Sequence, residues 1–385
     1  MFILHTIATL DPAAGGPPRT ALGLAHAQAA LGHEVHMLSY RGDSPPPTGL
    51  DHTLRAVDGQ VVLHELPLPS AGERLFGRAA AALLRGLLAR ADILHLHGIW
   101  ESIIRVAAAE ARQAGRPYVI APHGMLDPWS LAQRKWKKRI ALALGYRTML
   151  NGAAFIHGLN ADEVRLLGPL RLRCPTRTIP NGVPPDAFAQ LPAKGTFCRL
   201  YPQLADAPYV LFLSRLHYKK GLDHLARAFE LLASKTPDLQ LVIAGPDDGA
   251  RGDFEQRIAR AGLTKRVHLV GSIYGPAKLA AFVDAAAFCL PSRQEGLSVA
   301  ILEAMACGIP VVISEPCHFP EVAEAGAGQV VPLNAEAVAD ALWRVLSDAN
   351  EAQRQGQAGQ QLVRERYLWP AIARLSIDDY RQVIR

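Results

Sequence analysis

The chain has 385 residues, of which 49% are hydrophobic and 20% are charged. These values exclude a disordered or fibrous chain and favour a soluble globular protein of two domains. The net charge is +6 and unevenly spread, because residues 1–190 contain 20 Lys and Arg against 14 Asp and Glu, whereas the remaining residues contain 21 of each. The basic first half indicates an anionic partner, which is a membrane surface, a nucleic acid or an acidic substrate.

The amino-terminal segment, residues 1–8, is apolar, but no basic residue precedes it and Asp11 follows it closely. It is typical of a first β-strand and not of a signal peptide. No stretch reaches the roughly 18 uncharged apolar residues of a membrane-spanning helix. The five cysteines include no Cys-x-x-Cys pair, which suits a reducing cytoplasm and argues against a structural zinc site.

Short apolar runs alternate with segments of helical periodicity along the first half of the chain. This alternation is typical of a parallel sheet with helices on both faces. The predicted strands are residues 2–8, 34–39, 92–97, 118–122 and 153–158, and the predicted helices are residues 19–32, 101–115 and 131–150.

A segment rich in Pro and Gly, IPNGVPPDAFAQLPAKG, separates this half from a second series of the same kind. The predicted strands of that series are residues 209–214, 239–245, 267–271, 287–292 and 310–314. We therefore expect a boundary near residues 185–207. The first domain would comprise residues 1–188 together with a carboxyl-terminal helix, 369–385, that crosses back to it, and the second would comprise residues 189–368.

The predicted fold class is thus α/β, with two doubly wound, Rossmann-like domains that face each other across a cleft. In such domains ligands bind beyond the carboxyl ends of the strands. The chemistry is therefore expected in the loops that follow strands.

One such loop lies in YVLFLSRLHYKKG, between a buried strand and a helix that begins near Gly221. It contains Arg215 and Lys220. A helix amino terminus with an Arg and a Lys beside it suits a diphosphate. The alternative is a solvated loop with ordinary basic residues.

A second loop and helix, EGLSVAILEAMACG, contain two acids, Glu295 and Glu303, separated by small and apolar residues. Glu295 is expected at the amino end of the helix, Glu303 about two turns inside it, and Gly308 at its end. Carboxylates accept hydrogen bonds from sugar hydroxyls, so the two acids could hold two parts of one nucleotide sugar. The alternative is one acid favourable to the helix dipole and one solvated Glu.

These motifs together resemble those of the retaining GT-B glycosyltransferases of family 4. The likeness extends over nearly the whole chain and is closest to members that build bacterial surface polysaccharides. It includes, in order, the segments GG, LGHEV, DILHLHGIW, APHGMLDPW, IPNGV, LVIAG and FPEVAEAGAG. The segment EPCHFPE departs from the glycine-rich turn usual before Pro-Glu, which leaves contacts near Glu321 open.

The resemblance implies a role for each matching residue. Glu303 would bind the ribose, Glu295 the donor sugar, and Arg215 and Lys220 the departing diphosphate. Lys220 is preferred to its neighbour Lys219 because of its spacing from Arg215. The remaining donor-binding candidates are Gly15 and Gly16 at the diphosphate, Gly271, Ser272 and Ile273 at the base, and Gly296, Leu297 and Ser298 at the sugar and phosphate.

Two histidines are candidates on the acceptor side. His123 follows the predicted strand YVIAP, and the resemblance implies contact with the transferred sugar or the acceptor. His97 could equally be structural. A lone histidine after a strand is more often a packing or capping residue.

The resemblance also implies a cytoplasmic hexosyltransferase that uses a UDP- or GDP-linked sugar and retains the anomeric configuration. The acceptor would be a saccharide or a polyprenyl-diphosphate-linked saccharide. No Asp-x-Asp triplet occurs in the chain, so we expect no cofactor and no required metal, with Arg215 and Lys220 in the metal's place. The alternative is a non-catalytic protein that binds a nucleotide sugar or a polyanion.

Other classes are disfavoured by the motifs they lack. No G-x-G-x-x-G follows the first strand, no G-x-x-x-x-G-K-[ST] occurs, and no nucleic-acid-binding motif is present. The basic segments RKWKKRIALALGYRTML and ERLFGRAAAALLRGLLAR instead favour peripheral binding at an anionic membrane face. Their alternative is two ordinary amphipathic helices.

Overall fold

The computed structural model describes residues 1–11, 14–42, 61–204 and 207–384. The chain divides into two compact units: Met1–Gly182 with Trp369–Arg385, and Val183–Leu368. Within the predicted boundary segment, residues 205–206 lie outside the described residues.

The first unit contains a parallel sheet of seven strands within the described residues, in the order β3-β2-β1-β4-β5-β6-β7. The strands are β1 Phe2–Thr9, β2 Glu34–Tyr40, β3 Val61–Leu66, β4 Ile93–His97, β5 Tyr118–Ala121, β6 Phe155–Gly158 and β7 Thr176–Thr178.

Both faces of this sheet are covered by helices, because successive residues of a strand point to opposite faces. In β1, Ile3 packs in one buried cluster and Leu4 in the other. The helices of this unit are Gly16–Ala30, Ala71–Phe76, Arg78–Leu88, Ser102–Gln113, Pro128–Ala132, Lys135–Ala141, Arg147–Asn151, Ala161–Leu166 and Trp369–Arg381, with a π-type turn at Leu142–Tyr146 and a 3-10 turn at Gly168–Leu170.

The second unit contains six parallel strands within its described part, in the order β10-β9-β8-β11-β12-β13. The strands are β8 Tyr209–Leu213, β9 Gln240–Ala244, β10 Val267–Gly271, β11 Ala287–Leu290, β12 Val311–Ser314 and β13 Gly328–Val331. The helices are Thr196–Leu200, Leu222–Ala233, Arg251–Arg260, Gly275–Asp284, Val299–Ala306, Glu321–Glu324, Ala335–Ser347 and Ala349–Arg366, and the 3-10 turns are Pro185–Phe188, Pro202–Leu204, Tyr218–Lys220, Thr264–Arg266 and Glu315–Cys317.

The predicted fold class of two parallel-sheet, Rossmann-like domains is confirmed. In each sheet the chain first adds strands outward in one direction and then crosses to the other side. The direction changes between β1 and β4 in the first unit and between β8 and β11 in the second. At such a change of direction the loops that follow the two strands run to opposite sides and leave a crevice. A doubly wound domain binds its ligand in this crevice.

The prediction of one helix over residues 131–150 is wrong. The backbone is extended at Gln133 and left-handed at Arg134, where φ is 51°, and Gly145 has a φ of 128°. Helical conformation cannot pass through these angles, so the segment forms several short pieces. No helix within the described residues combines the length and the apolar character needed to cross a bilayer.

The carboxyl-terminal helix Trp369–Arg381 packs on the first unit, in agreement with its predicted return. The Trp369 indole lies between two glycines: an ideal Cβ at Gly23 would be 2.4 Å from its Nε1, and one at Gly182 would be 2.8 Å from its ring. The ring fills the space that two side chains would otherwise occupy. The helix can therefore pack in this position because Gly23 and Gly182 have no side chains.

We expect Gly23→Ala to lower the free energy of unfolding by about 1–3 kcal/mol, because the indole is confined on its other side and cannot move away from the new methyl group. The matched control is Gly86→Ala, in the helix Arg78–Leu88, where a Cβ meets no described heavy atom within 4 Å. That change should raise stability by about 0.5–1 kcal/mol through helix propensity. Urea denaturation followed by circular dichroism measures both, and equal effects would contradict the seating of Trp369.

Candidate functional site

In the second unit, two loops meet at the change of direction between β8 and β11. Gly221 ends the loop after β8 with a φ of 69°, and an ideal Cβ there would be 1.8 Å from the carbonyl oxygen of Pro291. No side chain fits at this contact, so glycine is required on both conformational and steric grounds. The contact brings the preceding residue, Lys220, against the loop that carries Glu295.

Lys220 and Glu295 form a buried ion pair with Nζ 2.6 Å from Oε1. The Ser292 hydroxyl donates to the same Oε1 at 2.6 Å. Within the described residues both of these side-chain hydrogen bonds go to Oε1, which keeps Oε2 available as an acceptor. The sequence selected Lys220 over Lys219 by spacing, and the buried pair involves Lys220.

The electrostatic setting keeps Glu295 ionised. Burial alone raises the pKa of its carboxyl group, but the charges of Lys220 and Lys219 and the hydrogen bonds from Lys220 and Ser292 outweigh burial, so the net pKa is lowered. A buried carboxylate held in this way is a fixed acceptor for hydroxyl groups.

Glu303 is paired with a different lysine, Lys278. Glu303 lies on the helix Val299–Ala306, and its Oε1 accepts a hydrogen bond from Lys278 Nζ at 2.8 Å, with both side chains buried. The alternative of a solvated Glu at this position is therefore excluded. The two acids that the sequence linked as ligands are each neutralised by a separate cation.

Arg215 lies just beyond β8 and is half-exposed. Its Nη1 is 2.6 Å from Oδ2 of Asp248, which is also half-exposed. Although it is paired, the Arg215 side chain remains 38% exposed. Arg215 is therefore the more accessible of the two predicted diphosphate cations, and Lys220 the more buried one.

The other predicted donor-binding residues lie at the same edge of the second sheet. Gly271 ends β10 with a φ of 73°; it and Ser272 are exposed, whereas Ile273 is buried. The remaining residues, Gly296, Leu297 and Ser298, form the turn between Glu295 and the helix Val299–Ala306, with Ser298 at the amino-terminal cap.

In the first unit, Gly15 and Gly16 begin the helix that follows β1. Gly15 has a φ of 96°, which favours glycine, and an ideal Cβ at Gly16 would meet no heavy atom of the described residues within 4 Å. Gly16 is exposed, so the described part of this unit leaves its backbone open to close approach by a ligand. Its predicted contact with a diphosphate stays a prediction.

The candidate histidines are hydrogen-bonded to each other. His123 is partly exposed, has a φ of 51° and lies in the loop after β5, and its Nε2 is 3.1 Å from Nδ1 of His97. His97 is buried, and its Nε2 is 2.9 Å from Nδ1 of His5. Of the two, only His123 has a ring that a ligand could reach. Backbone strain of this kind concentrates at functional sites.

Sequence reasoning missed several residues that build this site. Arg293 anchors the loop before Glu295 through a bidentate pair with Asp223, at 2.8 and 2.7 Å, and its guanidinium lies 3.8 Å from the centre of the Tyr218 ring. Lys278 and Ser292 were also missed. Only the position of Ser292, three residues before Glu295, offered a local signal, because the other contacts join residues far apart in the chain.

Comparison with known proteins places both units in one family. Residues 15–182 match the model of the glycosyl transferase 4-like domain, and residues 202–362 match that of glycosyl transferases group 1. A phosphatidyl-myo-inositol mannosyltransferase of Mycobacterium leprae is 30% identical over 383 residues, 93% of this chain and 91% of the relative. A GDP-mannose:cellobiosyl-diphosphopolyprenol alpha-mannosyltransferase of Xanthomonas campestris is 25% identical over 396 residues, 100% of this chain and 97% of the relative.

Solved structures agree on the fold. HepE of Anabaena, in complex with UDP and glucose, has a TM-score of 0.80 at 19% identity, covering 98% of each chain. A sucrose-phosphate synthase from Thermosynechococcus elongatus has a TM-score of 0.78 at 24% identity, covering 100% of this chain and 99% of that one. Together with the family models and the relatives of similar length, these matches show that the chain belongs to family 4 of the glycosyltransferases, whose members have the GT-B fold.

Proposed function

We propose that the protein transfers a hexose, with retention of anomeric configuration, from a nucleoside diphosphate sugar to a saccharide or lipid-linked saccharide of a bacterial glycoconjugate. The observation that carries this proposal is the buried Lys220–Glu295 pair at the change of direction of the second sheet. GDP-mannose is the first donor to test, because the names of two relatives specify mannosyl transfer. UDP-glucose is the second, because HepE binds UDP and glucose.

The paired charges suit the two ends of such a donor. Lys220 Nζ has three hydrogens, and Glu295 Oε1 uses one of them. The others can donate to phosphate oxygens, while the second oxygen of Glu295 accepts from sugar hydroxyls. One buried ion pair would thus hold the sugar and its leaving group in a fixed relation.

The proposed reaction breaks the bond between the anomeric carbon and the β-phosphate oxygen. The electron pair leaves with the nucleoside diphosphate, the acceptor hydroxyl oxygen forms the new bond on the same face of the sugar, and its proton passes to the departing phosphate. Arg215 and Lys220 would stabilise the negative charge that develops on the phosphate. Because two cations serve this purpose, we propose that no metal or other cofactor is required.

The two acids would divide the donor between them. Glu303, on the helix that follows Glu295, is assigned to the ribose hydroxyls, and Glu295 to the donor sugar. Each carboxylate is held by its own lysine, so neither has to reorganise when the ligand binds. A non-catalytic nucleotide-sugar binder remains the alternative, and sugar transfer in a product assay distinguishes the two.

We also propose a peripheral contact between the first unit and an anionic membrane that presents a lipid-linked acceptor. The helix Lys135–Ala141 carries basic side chains around Trp136, which is 64% exposed, and Leu144 beyond it is 80% exposed. Exposed apolar rings flanked by cations are typical of interfacial helices. Lys138 is partly tied down because its ammonium donates to the Ser130 carbonyl at 2.6 Å, which leaves Lys135, Lys137 and Arg139 as the outward cations.

Arg215→Ala should lower kcat at least 100-fold and leave folding intact, because a half-exposed guanidinium acts on charge that develops in the transition state. Arg227→Ala is the matched control, since Arg227 also forms an ion pair in this unit, with Glu230.

The assay is run with and without excess EDTA. Wild-type activity that disappears in EDTA and returns with one divalent ion would contradict the assignment of Arg215 and Lys220 as substitutes for a metal.

Glu303→Gln and Glu295→Gln should have different effects on binding of the nucleotide and binding of the sugar. The first should weaken binding of GDP and of GDP-mannose alike, because the ribose is common to both. The second should leave GDP binding nearly unchanged and weaken binding or transfer of the mannose. Isothermal titration calorimetry with each ligand measures this, and similar losses of GDP affinity in both variants would overturn the division.

Replacing Lys135, Lys137 and Arg139 together with Gln should abolish salt-sensitive binding to vesicles that contain anionic lipid. Each basic residue near such a surface contributes roughly 1 kcal/mol. The control replaces Arg257, Arg260 and Lys265, which are exposed in the second unit, and changes the net charge equally. Cosedimentation at low and high salt is the measurement, and equal losses in the two triple variants would leave only a nonspecific effect of net charge.

A further inference from the structure

Five histidines of the first unit belong to one continuous chain of hydrogen bonds, in which the side chains of Tyr380 and Gln28 link His95 to His5. His5 lies in β1, His95 and His97 in β4, His157 in β6, and His123 after β5. The four strand histidines are buried, and both ring nitrogens of each are hydrogen-bonded. A chain of groups that each donate and accept has a direction, and one fixed end together with one fixed point inside the chain determines it.

One end is the carbonyl oxygen of Ile179, 2.6 Å from Nε2 of His157. A carbonyl only accepts, so Nε2 of His157 carries the hydrogen and its Nδ1 accepts from Nε2 of His95, at 3.1 Å. His95 Nδ1 in turn accepts from the hydroxyl of Tyr380, at 2.5 Å. Both rings are therefore neutral Nε2–H tautomers.

The other fixed point is Ser376, whose hydroxyl donates to the Ala373 carbonyl at 2.7 Å and so accepts from Gln28 Nε2 at 2.9 Å. This orients the amide of Gln28, which also donates to the Tyr380 hydroxyl at 3.3 Å. Its Oε1 must then accept from Nε2 of His5, at 2.7 Å. The orientation of one amide thus sets the tautomer of His5.

The direction of hydrogen-bond donation can be followed in the same way from His5 to His123. His5 Nδ1 has no hydrogen and accepts from His97 Nε2, and His97 Nδ1 accepts from His123 Nε2. His123 is therefore the first donor of the chain, and its Nδ1 carries a lone pair. Within the described residues, Nδ1 of His123 makes no hydrogen bond.

The chain also keeps its members uncharged. Burial lowers the pKa of His5 to about 4, of His157 to about 4 and of His123 to about 3, and it lowers those of His95 and His97 well below the ordinary value. A proton added to an inner ring would also place two donors face to face, because each inner Nδ1 already accepts. The neutral state of the rings and the single direction of hydrogen-bond donation are therefore consistent with each other.

We propose that this histidine chain is a positioning device that holds His123 as a neutral Nε2–H tautomer, with Nδ1 as a hydrogen-bond acceptor for a hydroxyl group of the bound saccharide. His97, His5 and Gln28 are then positioning residues that act through His123. The proposal rests on the proposed function for the identity of the ligand. It assigns His97 a role that differs from direct contact with the acceptor.

A metal site is the competing explanation, since ligand atoms of His5, His95 and His97 lie within 4.8 Å of one another. Every ring nitrogen of these three residues is already hydrogen-bonded. A metal would have to break several of those bonds inside the core, at the cost of leaving their partners unpaired. The hydrogen-bonded chain is therefore the better account.

The first test reads the tautomers directly. Nitrogen-15 NMR of histidine-labelled protein should show Nε2 protonated and Nδ1 bare in all five rings at neutral pH, with couplings through the hydrogen bonds from His123 to His97 and from His97 to His5. Tyr380→Phe should alter the His95 signals, whereas Tyr118→Phe, which removes a buried hydroxyl bonded to the Met149 carbonyl, should not. An Nδ1–H tautomer, a charged ring or bound metal at any of the five would overturn the proposal.

The second test links the chain to turnover. His97→Leu should lower kcat roughly 10- to 100-fold, as loss of a partner that orients a functional histidine does. His97→Gln, which can accept from His123 and donate to His5, should recover most of that loss. His36→Leu is the control, because it breaks another hydrogen-bonded histidine pair, His36 with His64, in the same sheet.

The outcomes separate the two proposals. If the wild-type protein transfers no sugar from any donor, the proposed function fails while the NMR result still decides the chain. If the wild type is active and the Leu and Gln variants of His97 lose activity equally, the positioning role is wrong. If the Leu variant does not fold, the comparison of the Gln variant with wild type and the NMR spectrum of the wild type remain decisive.

Discussion

A carboxylate that leaves water must be compensated by a cation or by hydrogen-bond donors, and pairing with lysine organises the second unit. Glu295 and Glu303 are both buried, and each is held by a lysine from another element. Removing one member of a buried pair costs about 3–5 kcal/mol, because the other charge is then left uncompensated. The loops after β8 and β11 and the helices Gly275–Asp284 and Val299–Ala306 are thus bound together by the residues proposed to hold the donor.

The same constraint explains the glycine at position 221. Lys220 reaches Glu295 only because the backbone of the next residue lies against the Pro291 carbonyl, where no Cβ fits. Arg293 then fixes the opposite loop through Asp223 and Tyr218. Close backbone approach and charge pairing therefore both fix the site, which is preorganised in that its charged groups are held in place by the protein.

The sequence predicted most strands and the fold class, because buried parallel strands are continuous apolar runs. It did not predict three strands: β3 Val61–Leu66 and β13 Gly328–Val331, which are only partly buried, and β7 Thr176–Thr178, whose residues are polar and exposed. It also did not predict the break at Arg134. It predicted that Lys220 and Glu295 contact one donor, which stays a prediction, and it did not predict that the two residues pair with each other. Such pairing depends on how two loops pack, and residues 75 positions apart carry no local signal of it.

The two units meet the problem of buried polarity in different ways. The second unit keeps Glu295 ionised beside Lys220, so that lowering the pH through the depressed pKa of Glu295 removes stabilisation. The first unit keeps histidines neutral, and because the pKa of His5 falls from 6.5 to about 4, acid favours the unfolded chain, which binds the proton more readily. A charge pair gives the proposed phosphate site strong, fixed electrostatics, whereas a neutral chain of hydrogen bonds can orient one ring, His123, without adding charge to the core. Each device suits the ligand group assigned to it, a diphosphate in one case and a hydroxyl in the other.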